Sequence, residues 1–402
     1  FVLSLLLFSA SQAAATTFVS GTISQNTTWT ADGSPYVLTG NVTVSANVTL
    51  TIQPGVVVKP QQTTTSLIVN GILNANQAVF TSYKDDSQGG DANGDGSATS
   101  PTPGDWYRIS FQSGSSGSLS GPTIRYGGSG SSGQIYITSA SPSISGSTIS
   151  NSGGAGVYIA SGSPSISGSS FVFNSAEGLR SAAALTNVSG NSFTSNGSAA
   201  IKIPATIGSN VINNTYSGNQ INGMLLSGHI SSGVNVTWPA SNSPYVIEAK
   251  AASPNSLNVP SSSTLTIEPA TVIKFKAELT GGQHTDKDRS LKISGVLNAT
   301  NVVFTSFFDD SSGGDTNNDG SSTAPLPGDW NRIYFNGGGG NLSSCTISWG
   351  GNSEVSGMIY IEGSTVATVI DATTIAHSQN WGVYVYSGAA PTITATAFSY
   401  NG

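Results

Sequence analysis

The chain has 402 residues, with 13 Lys and Arg against 20 Asp and Glu, and a formal net charge of −7. Only 8% of residues are charged while 37% are hydrophobic, so there is ample material for a core and disorder is excluded. The acidic balance, with no basic patch, argues against nucleic acid and against acidic lipid as partners.

Gly, Ser, Thr and Asn are abundant, and no periodic run of helix formers occurs. Val, Ile, Thr, Tyr and Phe come in short alternating runs, which is strand composition. The single cysteine, Cys345, permits no internal disulfide and is expected to be a small core residue.

The chain opens with FVLSLLLFSASQAAATTF, an apolar run followed by small residues. Residues 1–15 read as the remnant of an export signal, with cleavage near Ala13 or Ala15. The run is too short to span a membrane. A secreted or bacterial surface protein is expected, in surroundings rich in calcium.

Two related units are expected to follow, residues 16–227 and 228–402, the second expected to be truncated. Trp29 matches Trp238, and Tyr36 matches Tyr245 within S-P-Y-V. Leu50-Thr-Ile52 matches Leu265-Thr-Ile267, and Phe80-Thr-Ser82 matches Phe304-Thr-Ser306.

Each unit then carries an acidic loop, residues 85–105 and 309–329. Each loop holds five aspartates, so half of the acidic residues sit in two short segments. Ordering so long a loop costs roughly 1–2 kcal/mol per residue in backbone entropy, which a bound ion would offset. The core D-x-N-x-D-G places hard oxygen ligands at alternate positions before a glycine turn, as at the start of a calcium loop. Asp91, Asn93 and Asp95 fill these positions in the first copy, and Asp315, Asn317 and Asp319 in the second. Where an EF-hand has its closing glutamate, these loops have Thr102 and Leu326, so no EF-hand and no flanking helices are expected. Asp85, Asp86 or Asp105 would close the first shell, and Asp309, Asp310 or Asp329 the second.

Beyond the first loop a shorter repeat takes over. Ile135, Val157, Leu179, Ile201 and Met224 recur at steps of 22 or 23 residues. Ile144, Ile166, Val188 and Val211 do the same, as do Ile149, Phe171, Phe193 and Tyr216. Three short apolar sites per repeat describe one solenoid turn of three strands. An all-β parallel β-helix with about 22 residues per coil is the expected fold. Alternation then points Tyr136, Tyr158, Arg180 and Lys202 outward on successive coils, with Tyr360 and Tyr384 repeating the tyrosine pair. Asn174, Asn196 and Asn219 form a further column, expected at a corner where the backbone turns left-handed.

The string W-x(n)-P-Y-x-V, L-T-I-x-P, G-x-L-x-A, F-T-S, D-D-x2-G-G-D-x-N-x-D-G and P-G-D-W-x-R-I resembles the right-handed parallel β-helix repeat proteins of bacterial surfaces, in the pectate-lyase-like superfamily. It covers nearly all of the chain after the signal. The resemblance implies an architecture more than an activity, since adhesins, lyases and glycosidases share it. A lyase of this kind would use calcium and a basic residue, and Arg108 and Arg332 in D-W-x-R-I would be the candidates. No convincing carboxylate pair for glycoside hydrolysis stands outside the loops.

The leading expectation is a non-catalytic surface or matrix module, stabilised by calcium, that binds a glycan or another surface. The column Tyr136, Tyr158, Arg180, Lys202 and the pair Tyr360, Tyr384 would carry that binding. A calcium-dependent polysaccharide lyase is the alternative. Ice binding is a minor one, because the outward pairs Ser143/Ser145 and Ser165/Ser167 are regular but drift to Asn187/Ser189.

Overall fold

The computed structural model describes residues 16–130, 132–206, 210–248, 256–352, 357–363 and 367–402. The expected export signal lies outside the described residues. The chain is an all-β parallel solenoid of about 14 turns. Among the described residues no α-helix occurs, and no helix is long and apolar enough to cross a membrane. Among the described residues every strand pairing is parallel except the hairpin Glu278–Thr280 with Gln283–Thr285.

Three faces of stacked strands form each unit. On the first face Val42, Leu67, Ile109, Ile135, Val157, Leu179, Ile201 and Met224 pair coil by coil. The second face stacks Ile52, Ala75, Leu119, Ile144, Ile166, Val188 and Val211. The third stacks Tyr36, Val58, Phe80, Ile124, Ile149, Phe171, Phe193 and Tyr216. All but Tyr216 are buried, so the three columns meet as one continuous core. Each strand has neighbours above and below, which satisfies its backbone groups. Stacked rings add to this on the third face, with Phe171 and Phe193 centroids 4.6 Å apart.

The turns average roughly 25 residues, longer than the expected 22. The shorter step holds between Ile135 and Ile201. Elsewhere the corners are longer, as between Ile109 and Ile135, because a corner can bulge outward without disturbing the columns inside it.

At the junction of the units the columns change partners. Tyr245 pairs with Met224, so the first-face column of the first unit runs on into Tyr245, Ile273, Phe304, Ile347, Ile375 and Phe398. By sequence these belong to the third face of the second unit. The repeated pattern therefore restarts one face out of phase. Here the outward residues Leu225 and Val246 are buried beneath Ala277, Phe307 and Phe308, in a second apolar cluster.

The asparagine column is present, but its role differs from the expectation. The left-handed residues are those just before it, Phe173, Ser195 and Gly218. The asparagines act through their side chains instead. Asn174 donates to Asn196 Oδ1 at 2.8 Å, and Asn196 donates to Asn219 Oδ1 at 2.7 Å. A second ladder, Asn191 on Asn214 at 3.0 Å, runs beside it.

Candidate metal centres and the outward aromatic face

Each acidic loop leaves the third face after F-T-S and returns to the first face through G-D-W. Trp106 and Trp330 are fully buried and anchor the return. Their indole N–H groups donate to the Arg125 and Ser348 carbonyls at 2.9 and 2.8 Å. Gly127 and Gly350 make room for the rings, since a Cβ at either would lie 2.6 Å from the indole. Cys345 is likewise buried in the core.

Within the first loop Asp91 folds the turn around itself. Its Oδ1 accepts from the Gly94 and Asp95 N–H groups at 2.7 and 3.1 Å, and its Oδ2 from Gly96 at 2.8 Å. Asp315 does the same with Asp319 and Gly320 at 3.1 and 3.0 Å. The D-x-N-x-D-G spacing makes this possible, because the glycines adopt positive φ without a Cβ penalty.

The turn brings Asp86, Asp91 and Asp95 together in the first loop and Asp310, Asp315 and Asp319 in the second. In each triad one carboxylate oxygen per residue lies within 4.8 Å of the others. The Oδ1 atoms of Asp86, Asn93 and Asp95 are buried and have no hydrogen-bond partner. The same three positions, Asp310, Asn317 and Asp319, are left unpartnered in the second loop. Buried acceptors without donors are costly unless something else satisfies them. Hard oxygens gathered in this way, in both copies, form a donor set that could hold a metal ion. Burial, followed by the neighbouring Asp315 charge, pushes the Asp310 carboxyl above its usual range. A bound cation would reverse that.

The remaining aspartates of the expected shell point elsewhere. Asp85 pairs with Arg125 at 2.6 Å and accepts from Ser87 at 2.6 Å and from Thr81. Burial opposes its charge, yet these donors hold its carboxyl below the usual range. Asp105 pairs with Lys84 at 2.8 Å and accepts from Ser82 and Thr102, which lower its carboxyl against burial in the same way. In the second unit Asp309 takes hydroxyls from Thr305 and Ser311. Asp329 faces His284 Nδ1 at 2.6 Å, and that ring stacks on Phe308 at 4.1 Å. Phe308 stands where the first unit has Lys84, so the hairpin's histidine takes over the lysine's contact. Asp86 and Asp310 are thus the members of the proposed closing sets that reach the triads.

Two lysines that the sequence reading passed over support the loops from below. Lys59 and Lys274 occupy matching strand positions and are fully buried. Lys59 Nζ donates to the Asp85 and Gly90 carbonyls at 3.0 and 2.6 Å. Lys274 Nζ donates to the Gly314 carbonyl at 2.8 Å. Burial pulls Lys274 down to about 8, against the attraction of Asp309, Asp310 and Asp315. The ammonium groups hold backbone carbonyls, and the triads keep negative charge that a divalent ion could take. Their signal was a lysine repeated within two otherwise apolar strands.

Arg108 and Arg332 lie on the first face, on tyrosine rings. Arg108 sits 4.4 Å from the Tyr107 centroid and 4.1 Å from that of Tyr136. Arg332 sits 4.9 and 5.0 Å from Tyr334 and Tyr360. Among the described residues no hydrogen bond or ion pair joins either arginine to a triad. Tyr136, Tyr158, Arg180 and Lys202 follow one another in register. Arg180 covers the Tyr158 ring at 5.0 Å, and Lys202 lies 3.7 Å from Glu177. In the second unit Lys292, Tyr334, Tyr360 and Tyr384 form the matching column, with Trp381 stacked on Tyr384 at 5.0 Å.

Residues 133–243 match the family model described as right handed beta helix region. This stretch is a right-handed β-helix. No curated protein and no solved structure matches the chain. The β-helix explains why the tyrosine column is straight: the outward position of every coil lies directly above the last. Tyr334 and Lys292 were missed because the second unit's first-face strands lie far apart in sequence, separated by the hairpin and the second acidic loop.

Proposed function

We propose that this β-helix is an exported, non-catalytic surface or matrix module, stabilised by calcium in its two acidic loops, that binds a glycan. The observation that carries the calcium reading is the set of unpartnered oxygens at Asp86, Asn93 and Asp95, repeated at Asp310, Asn317 and Asp319. Calcium suits them because every donor is a hard oxygen.

The glycan reading rests on the outward column. Tyr136 and Tyr158 rings stand 5.6 Å apart, and Tyr360 and Tyr384 rings 5.5 Å apart. Arginines lie against these rings on each unit. An extended sugar chain could lay its apolar ring faces on such a strip and its hydroxyls on the flanking polar groups. The test is binding of a panel of oligosaccharides to the full chain in calcium, with Tyr136→Ser/Tyr158→Ser and Tyr360→Ser/Tyr384→Ser compared. Unchanged affinity in both double variants would refute the strip. An ultraviolet assay for unsaturated uronate products separates binding from lyase activity. A calcium-dependent rise abolished by Arg108 and Arg332 substitution would make the protein a lyase.

A further inference from the structure

The two units diverge at one place on the first face. In the second unit a cleft of about 350 Å³ is lined by Lys292, Asn331, Arg332 and Tyr334, with Asp288 and Ser290. Lys292 pairs across the sheet with Tyr334, and Ser290 with Arg332. At the matching places in the first unit Ile68 pairs with Ser110, and Ser66 with Arg108. The arginine and serine are kept, while the lysine and the tyrosine belong to the second unit alone.

The retained arginine is also used differently. Each arginine lies against two tyrosine rings, and Arg108 in addition donates to Ser132 at 3.0 Å. The Arg332 side chain makes no hydrogen bond among the described residues, and its Nε, like that of Arg108, is buried without a partner. Asn331 Oδ1, beside it in the cleft, is also buried and unpartnered. Lys292 Nζ stands 5.7 Å from the Tyr334 centroid and forms no ion pair among the described residues. The Tyr334 hydroxyl donates to Glu362 at 2.6 Å, which fixes the ring as the floor of the strip. Asp288 is the one carboxylate among the lining residues, and Glu362 stands outside the lining on the Tyr334 hydroxyl.

We propose that this cleft is the anion-recognition subsite of the glycan-binding face. It takes the carboxylate or sulfate ester of an acidic sugar between Lys292 and Arg332, with the sugar ring on Tyr334. Arginine supplies a directional fork for such an oxyanion and lysine a mobile point charge. The inference rests on the glycan reading above, and its failure can be told apart from a failure of that reading.

The experiment is calorimetric titration of the full chain, in calcium, with three oligosaccharides of equal length: uronic-acid, sulfated neutral and uncharged. The variants Lys292→Ile and Tyr334→Ser install the first unit's own residues, which that face already accommodates. At least one acidic oligosaccharide should bind about tenfold more tightly than the uncharged one. Lys292→Ile should remove that advantage and flatten its salt dependence. The acidic probe that binds identifies the oxyanion. Equal binding of all three, unchanged in Lys292→Ile, overturns the anion subsite and leaves the aromatic strip standing. Binding of none overturns both.

Discussion

The side-chain amide of Asn222 donates to the backbone carbonyl of Asp315 at 3.0 Å. The backbone N–H of Asn222 also donates to the Thr316 carbonyl at 2.8 Å. Its Oδ1 accepts from both the backbone and the amide of Asn219, at 3.0 and 2.9 Å. The asparagine ladder of the first unit therefore ends on the acidic loop of the second, at a residue of its triad.

Asn222→Ala should leave the Asn219 backbone N–H and the Asp315 carbonyl unpaired, a loss of about 1–3 kcal/mol per group. Hydrogen exchange should quicken in the last coil of the first unit and in the second loop, and calcium affinity should fall there. An equal loss of affinity at the first loop would contradict the coupling.

Calcium should raise the stability of the folded chain, and a chelator should lower it. A site that binds only the folded state adds about 4 kcal/mol at a thousandfold excess of ion over Kd. Asp95→Ala should remove the first site and Asp319→Ala the second, so the double variant should melt at one temperature with or without calcium. A wild-type melt that ignores calcium would refute both sites.

Asn196→Ala cuts the ladder in its middle. Asn196 donates to the Phe171 carbonyl at 3.1 Å and accepts from the Asn174 backbone and amide at 3.2 and 2.8 Å. All of these groups are buried, so each one left unpaired costs about 1–3 kcal/mol. Urea unfolding should show a loss of several kcal/mol. A loss below about 1 kcal/mol would mean that water replaces the amide.

Asp105 ties the loop to Lys84, and its folded carboxyl titrates below its unfolded value. Its contribution is present above the ordinary aspartate range near 3.8 and is lost as pH falls through the lowered folded value. Acid unfolding in chelator should therefore steepen below pH 4, and Asp105→Asn should reduce the slope there without changing it near neutrality. A profile identical to wild type would show that the pair contributes nothing.

Much of the fold was legible because a solenoid repeats its contacts. Ile135, Val157 and Leu179 face one environment three times over, so their spacing alone reveals a column. The loops were legible in part for a local reason. Asp91, Asn93 and Asp95 are placed by a short glycine turn, and their geometry follows from their spacing. The choice of Asp86 over its neighbour Asp85 was not legible. Arg125, which engages Asp85, comes from a strand 40 residues away. The role of the asparagines was misjudged for a related reason: an amide hydrogen-bonding to the next coil leaves the same sequence period as a left-handed corner.

By itself the sequence determined a parallel β-helix with two acidic loops, because inward alternation and fixed turn chemistry act over a few residues or repeat coil after coil. Tertiary structure alone decided which aspartates converge, which are engaged by Arg125, Lys84 or His284, and which face of the first unit continues into the second. Those outcomes depend on groups from different coils meeting in space. Any apolar column can stack on any other through the same backbone ladder, so the pattern within a strand carries no mark of its partner.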